Sequence, residues 1–111
     1  MMDLRLRGSA IVLVGGTRGI GRETARLLGQ EGASVALVAR DPSALETTAS
    51  EVRHLGGQAV TVVADVTDTD QAARAVREAT AALGSFDALI HAAGYTTGQS
   101  IIVDGGLVRT V

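Results

Sequence analysis

Four short apolar runs, "SAIVLV", "SVALVA", "QAVTVV" and "DALIHA", are separated along the chain by three longer stretches of helical period. This alternation constrains the fold more than any other feature. A strand that is apolar at every position is buried on both faces, which happens when helices cover a parallel sheet on two sides. Joining parallel strands requires crossovers, and these are almost always right-handed. The expectation is an α/β protein in three αβα layers, with parallel strand order 3-2-1-4 and a crevice between the first and fourth strands.

Punctuation sharpens the boundaries. A first strand is expected over 9–16, closed by Gly15 and Gly16. The first helix runs from Gly19 to about Gln30, with Ile20, Thr24, Leu27 and Leu28 at helical spacing and Gly32 as its stop. A second strand, 34–40, leads into Asp41 as N-cap and Pro42 at the first helical position. Leu45, Ala49, Val52 and Leu55 form that helix's inward stripe, and Gly56 and Gly57 end it. A third strand spans 58–65. The third helix turns Ala73, Val76, Thr80 and Leu83 inward and stops at Gly84, before a fourth strand at 87–93. With 111 residues and neither a linker nor a repeat, the chain reads as one domain over 1–111.

Composition excludes several classes. The formal charge is -2, so nothing attracts nucleic acid or anionic lipid. No cysteine is present, which removes disulfides, thiolate metal sites and cysteine nucleophiles, and no metal site is expected. No apolar run approaches the ~20 residues of a membrane span. The start, "MMDLRLRG", lacks a signal-peptide core, which leaves the cytoplasm as the expected location.

The segment "GGTRGIG" sits between the first strand and the first helix. Its position matters because a helix start offers unpaired N–H groups and a partial positive charge to a phosphate. Gly15 suits the tight turn out of the strand, Gly19 a close approach of backbone to a pyrophosphate, and Gly21 close packing of helix on sheet. The spacing is G-x-x-x-G-x-G and differs from the G-x-G-x-x-G of the common dinucleotide fingerprint. A ligand-free glycine turn is the competing reading; the strand–turn–helix setting favours phosphate.

"LVGGTRGIGRETARLL" resembles the cofactor-binding segment of the short-chain dehydrogenase/reductase family, a Rossmann-like fold. Three further segments match in order: "ADVTD", "HAAG" and "TGQSIIVDGG". The resemblance implies a dinucleotide contacted by Gly15, Thr17, Arg18, Gly19, Ile20 and Gly21 at its phosphates. It places Asp65 and Val66 at the adenine, and Ala92, Ala93 and Gly94 along the ribose and nicotinamide side. His91 and Ala92 replace the family's paired Asn residues; His91 is either a substitute polar tie or a plain strand-end residue.

The second strand ends at Arg40, where a carboxylate would favour NAD and repel a 2′-phosphate. Arg40 and Arg18 both offer guanidinium groups to phosphate, and basic residues at these places go with NADP(H) in the resembling family. The expected cofactor is therefore NADP(H) over NAD(H), the alternative being that both arginines are solvated surface charges.

The same resemblance shows what is missing. The family's hydride transfer uses a Tyr with a Lys four residues on, together with a Ser and an Asn. A free Tyr has a pKa near ~10 and needs that cation to act as a base. All ten basic residues here are Arg, there is no Asn, and the single Tyr, Tyr95, is followed four places later by Gln99. No catalytic residue is assigned. Gly94 joins the C-terminal segment directly, too soon for a parallel crossover of a dozen or more residues. A tail strand at 100–104 is therefore expected as an edge strand antiparallel to the fourth, with Thr97, Gly98 and Gln99 in the turn. Apolar surface left uncovered on the fourth strand points to a homo-oligomer through an exposed sheet edge or apolar face. Three readings follow: an NADP(H)-binding domain inactive alone, the cofactor half of an oxidoreductase completed by another chain, or an assembly module that no longer binds nucleotide.

Overall fold

The computed structural model describes residues 7–15 and 17–92, together with the backbone of two short strands at 101–104 and 107–110. Strand β1 (Ala10–Val14) leads into helix α1 (Gly19–Gln30), β2 (Ser34–Ala39) into α2 (Pro42–His54), and β3 (Gln58–Val63) into α3 (Thr69–Leu83). Strand β4 (Ala88–His91) follows, and then β5 (Ile101–Asp104) and β6 (Leu107–Thr110). The four-stranded sheet has the order β3-β2-β1-β4 and is parallel throughout, as the apolar runs predicted.

Alternation along the strands sorts the core into two layers. Ile11, Leu13, Val35 and Leu37 point to one face, where Ala25 and Leu28 of α1 and Leu45, Ala49 and Val52 of α2 meet them. Val12, Val14, Ala36, Val38 and Val62 point to the other face, against Ala75 and Ala79 of α3. Every residue of β1 is buried, because β1 is flanked by strands and covered by helices. Strand β4 is only half-buried along its whole length.

Asp41 caps α2 by accepting from the Ser43 N–H at 2.9 Å, and Asp68 caps α3 by accepting from the Asp70 and Gln71 N–H groups. Asp87 fixes the start of β4. Its carboxylate accepts from the Ala10 N–H at 2.8 Å while its own N–H donates to the Ala10 carbonyl at 2.7 Å.

Three expectations are corrected. In α1 the buried stripe is Gly21, Ala25, Leu28 and Gly29, whereas Ile20 is 83% and Leu27 41% exposed. The helix uses three small residues and Leu28 against the sheet and α2, which turns Ile20 and Leu27 outward. In α3 the buried positions are Ala75 and Ala79, and Ala73 is exposed; an alanine-rich helix offers two nearly equal apolar stripes. The tail strand is not an antiparallel partner of β4. It is β5, which lies beside β4 but pairs antiparallel with β6, Asp104 opposite Leu107. Only Gly105 and Gly106 lie between those strands, the shortest hairpin connection, whereas pairing with β4 requires a longer closure. The expected turn at Thr97, Gly98 and Gln99 lies outside the described residues.

Candidate functional site

Because the sheet is parallel, the carboxyl ends of all four strands share one edge, and the loops leaving them form the candidate site. Backbone bonds splay them in register. The Gly15 N–H donates to the Val38 carbonyl at 2.8 Å, Ala64 to Ala39 at 2.9 Å and Ala92 to Val14 at 2.8 Å. These place the glycine loop between the β2 and β4 ends.

The loop turns at Gly15, with φ 83°, and enters α1 at Gly19, with φ 50°. Both values lie in the left-handed region that favours glycine. A Cβ on Gly19 would meet nothing within 4 Å, so the residue is demanded by backbone conformation and leaves open space above it. Gly21 is buried beneath, letting α1 sit on the sheet. Arg18 is the α1 N-cap, in extended conformation, with no side-chain cap bond and no acidic residue in the first turn. Among the three helices α1 alone starts without a carboxylate on its amides. Those N–H groups and the positive end of the helix dipole are left facing the strand-end edge, a fit to a phosphate group.

Arg18 and Arg40 are both exposed, the first at the α1 start and the second at the end of β2. Arg40 is close enough to Asp65, after β3, to stabilise its carboxylate. That carboxylate is held below the ordinary aspartate value chiefly by the Thr67 hydroxyl, which donates to Oδ1 at 2.6 Å, and then by the Thr67 N–H at 3.0 Å. The Asp65 N–H donates to Gln71 Oε1 at 2.8 Å. Thr67 and Gln71 thus set the Asp65 loop. The sequence reading passed over them, although Asp-x-Thr is a familiar turn pattern. Val66 is half-buried against the α3-side core.

His91 ends β4 opposite Val14, and partial burial lowers its imidazole pKa, so the ring is neutral at neutral pH. Ala92 packs against the α1-side core; Ala93 and Gly94 lie outside the described residues. Arg22, in the first turn of α1, is committed to Glu51 of α2 in a two-pronged ion pair. This link was not foreseen, since nothing in sequence spacing puts the two residues together. A shallow depression of about 590 Å³ runs along the flank of α1, past Gly19, Ile20, Glu23, Thr24 and Leu27. It follows the exposed apolar ridge and does not lie over the strand ends. Among the described residues no cluster of three or more His, Asp or Glu could hold a metal, and no helix is long and apolar enough to cross a membrane.

The family model for short chain dehydrogenases matches residues 9–103. The chain belongs to the short-chain dehydrogenase family. It is 36% identical over 90 residues to a short chain dehydrogenase of Pseudocercospora fijiensis, covering 81% of this chain and 29% of that protein. It is 38% identical over 89 residues to the ketoacyl reductase HetN of Nostoc, covering 80% and 31%. Among solved structures, the NADH-dependent reductase A1-R' complexed with NAD is 34% identical with a TM-score of 0.76, covering 86% of this chain and 40% of that one. The chain thus spans about a third of the length of the curated short-chain dehydrogenases it matches.

Proposed function

We propose that this short-chain dehydrogenase chain is an NADP(H)-binding domain. In this reading the amides of Gly19, Ile20 and Gly21 hold the pyrophosphate, Gly15 and Thr17 shape the loop, and Arg18 and Arg40 take the 2′-phosphate. Asp65 and Val66 flank the adenine, and Ala92, Ala93 and Gly94 line the path to the nicotinamide. The observation that carries the proposal is the uncapped start of α1, open at a glycine turn while α2 and α3 begin on aspartates. Two exposed guanidinium groups and no strand-end carboxylate on β2 support NADP(H) over NAD(H).

When bound, the nicotinamide would supply the hydride of an oxidoreductase. This chain's residues bind and orient it but offer no Tyr–Lys pair to move the accompanying proton. The chain is therefore inactive alone. Its span of about a third of its relatives favours a second reading, in which another chain completes the catalytic half. Self-association through the exposed α1 ridge belongs to the same proposal.

Calorimetric titration of the purified chain tests it. NADPH is expected to bind more tightly than NADH, with no carbonyl reduction by the chain alone. Failure of both nucleotides to bind would leave only the assembly-module reading.

A further inference from the structure

Strand β3 forms one free edge of the sheet. Its Gln58 N–H donates to Ala33, and the Ala64 N–H just beyond it donates to Ala39. The even positions therefore face β2, and the backbone groups of Ala59, Thr61 and Val63 face outward. The strand reads QAVTVV: strongly β-forming, uncharged, without proline, and carrying Val63 at 46% exposure. Such a segment on an open edge is a template for strand addition, and none of the usual strand-borne defences is present.

Two arginines reach that edge from opposite layers. Arg53, from α2, donates through Nη2 to the Ala59 carbonyl at 2.8 Å, and Arg74, from α3, donates through Nη2 to the Val63 carbonyl at 3.0 Å. Each is steadied by a carboxylate of its own helix: Glu46 lies 3.9 Å from Arg53, and Glu78 accepts from Arg74 at 2.5 Å.

We propose that Arg53 and Arg74 are paired clamps that close the β3 edge to strand addition by a second copy of this chain. They occupy two of the three outward carbonyls and place a positive charge at each end of the edge. An incoming strand must break both bonds and bury both charges, and Thr61 alone between them is too short a stretch to pair.

The experiment compares the wild type, Arg53→Ala/Arg74→Ala, and the same double variant with Thr61→Pro. Light scattering after size exclusion measures size, and infrared spectroscopy measures intermolecular β-structure. The Thr61 N–H faces outward, so proline there removes no bond to β2 and obstructs only an added strand. The expected result is at least a tenfold rise in associated material for the double variant and return to the wild-type distribution with proline. If the double variant does not fold by circular dichroism, the single variants Arg53→Ala and Arg74→Ala are read in the same way, each expected to show a smaller rise. A folded variant with the wild-type size distribution overturns the proposal, as does association that Thr61→Pro leaves unchanged.

Discussion

Arg40 and Asp65 carry opposite charges at the strand-end edge, near enough for Arg40 to favour the Asp65 carboxylate. Arg40 is solvent-facing, so its removal disturbs no packing, and its loss is expected to fall chiefly on the 2′-phosphate. Losing a charge-assisted hydrogen bond costs about 1.5–3 kcal/mol, roughly ten- to a hundredfold in affinity. Arg40→Ala is therefore expected to weaken NADPH by that factor while NADH changes little; paired titrations decide, and equal weakening counts against the phosphate role. Asp65 makes a separate prediction from pH. Its folded pKa lies below the ordinary 3.8, first because of the Thr67 hydroxyl. The sign follows: the stabilisation is complete above 3.8 and is lost as pH falls through the folded value. Thr67→Val removes the hydroxyl donor. The gap in melting temperature between wild type and variant should be widest at neutral pH and close in acid, and a gap independent of pH would contradict the assignment. The sequence named Arg18 and Arg40 by their places in the glycine loop and at the end of β2, and Asp65 by the resemblance of "ADVTD" to the family's third-strand end. It did not reach Thr67, Gln71 or the Arg22–Glu51 pair, because those roles depend on where a neighbouring helix lies.

Among the elements, α1 is the one whose start carries no carboxylate cap. Giving it the aspartate that α2 and α3 possess should stabilise the fold and damage the site. Arg18→Asp supplies a cap worth about 0.5–2 kcal/mol, so the melting temperature is expected to rise while NADPH affinity collapses. A variant that binds normally would show that the first-turn amides are not the phosphate site. The other end of α1 is set by contact with α2. A Cβ on Gly29 would come within 2.9 Å of the Val52 carbonyl oxygen, a backbone atom that cannot swing away. Gly29→Ala is expected to cost about 1–3 kcal/mol, as overpacking does, measurable by denaturant unfolding. This contact also explains where periodicity failed. Ile20, Thr24 and Leu27 lie on one stripe and look like a core face, but a helix that approaches its neighbour through Gly21, Ala25 and Gly29 must turn that stripe outward. Hydrophobicity ranks leucine above glycine, and close packing reverses the order. Strands were legible because burial on both faces leaves no choice of stripe, and Asp41–Pro42 fixed the α2 start by local chemistry alone.

At the scale of the whole molecule the two faces of the sheet are unequally covered near β4. Helices α1 and α2 lie over β1, β2 and β3, and α3 covers the opposite face, but β4 remains half-buried from Ala88 to His91. The ridge of Ile20 and Leu27 on α1 is likewise apolar and open to water. The sequence made this imbalance foreseeable, since too few residues follow the fourth strand before the tail for a parallel crossover. It could not reveal that the tail closes on itself as β5 and β6, because Gly105–Gly106 offers a local hairpin that competes with any longer-range pairing. Among the described residues the exposed large hydrophobics are Ile20, Leu27 and Val63; with Val63 on the edge proposed to be clamped, the α1 ridge is the surface proposed for self-association. At about 25 cal/mol per Å² of apolar area, two large side chains contribute a few kcal/mol to association. Leu27→Glu places a charge in the middle of that ridge without touching the core or the glycine loop. It is expected to shift the chain toward monomer in analytical ultracentrifugation while leaving the melting temperature and NADPH titration near wild type. Unchanged sedimentation would move the contact away from α1, and loss of binding together with association would mean that the nucleotide site is completed only in the assembly.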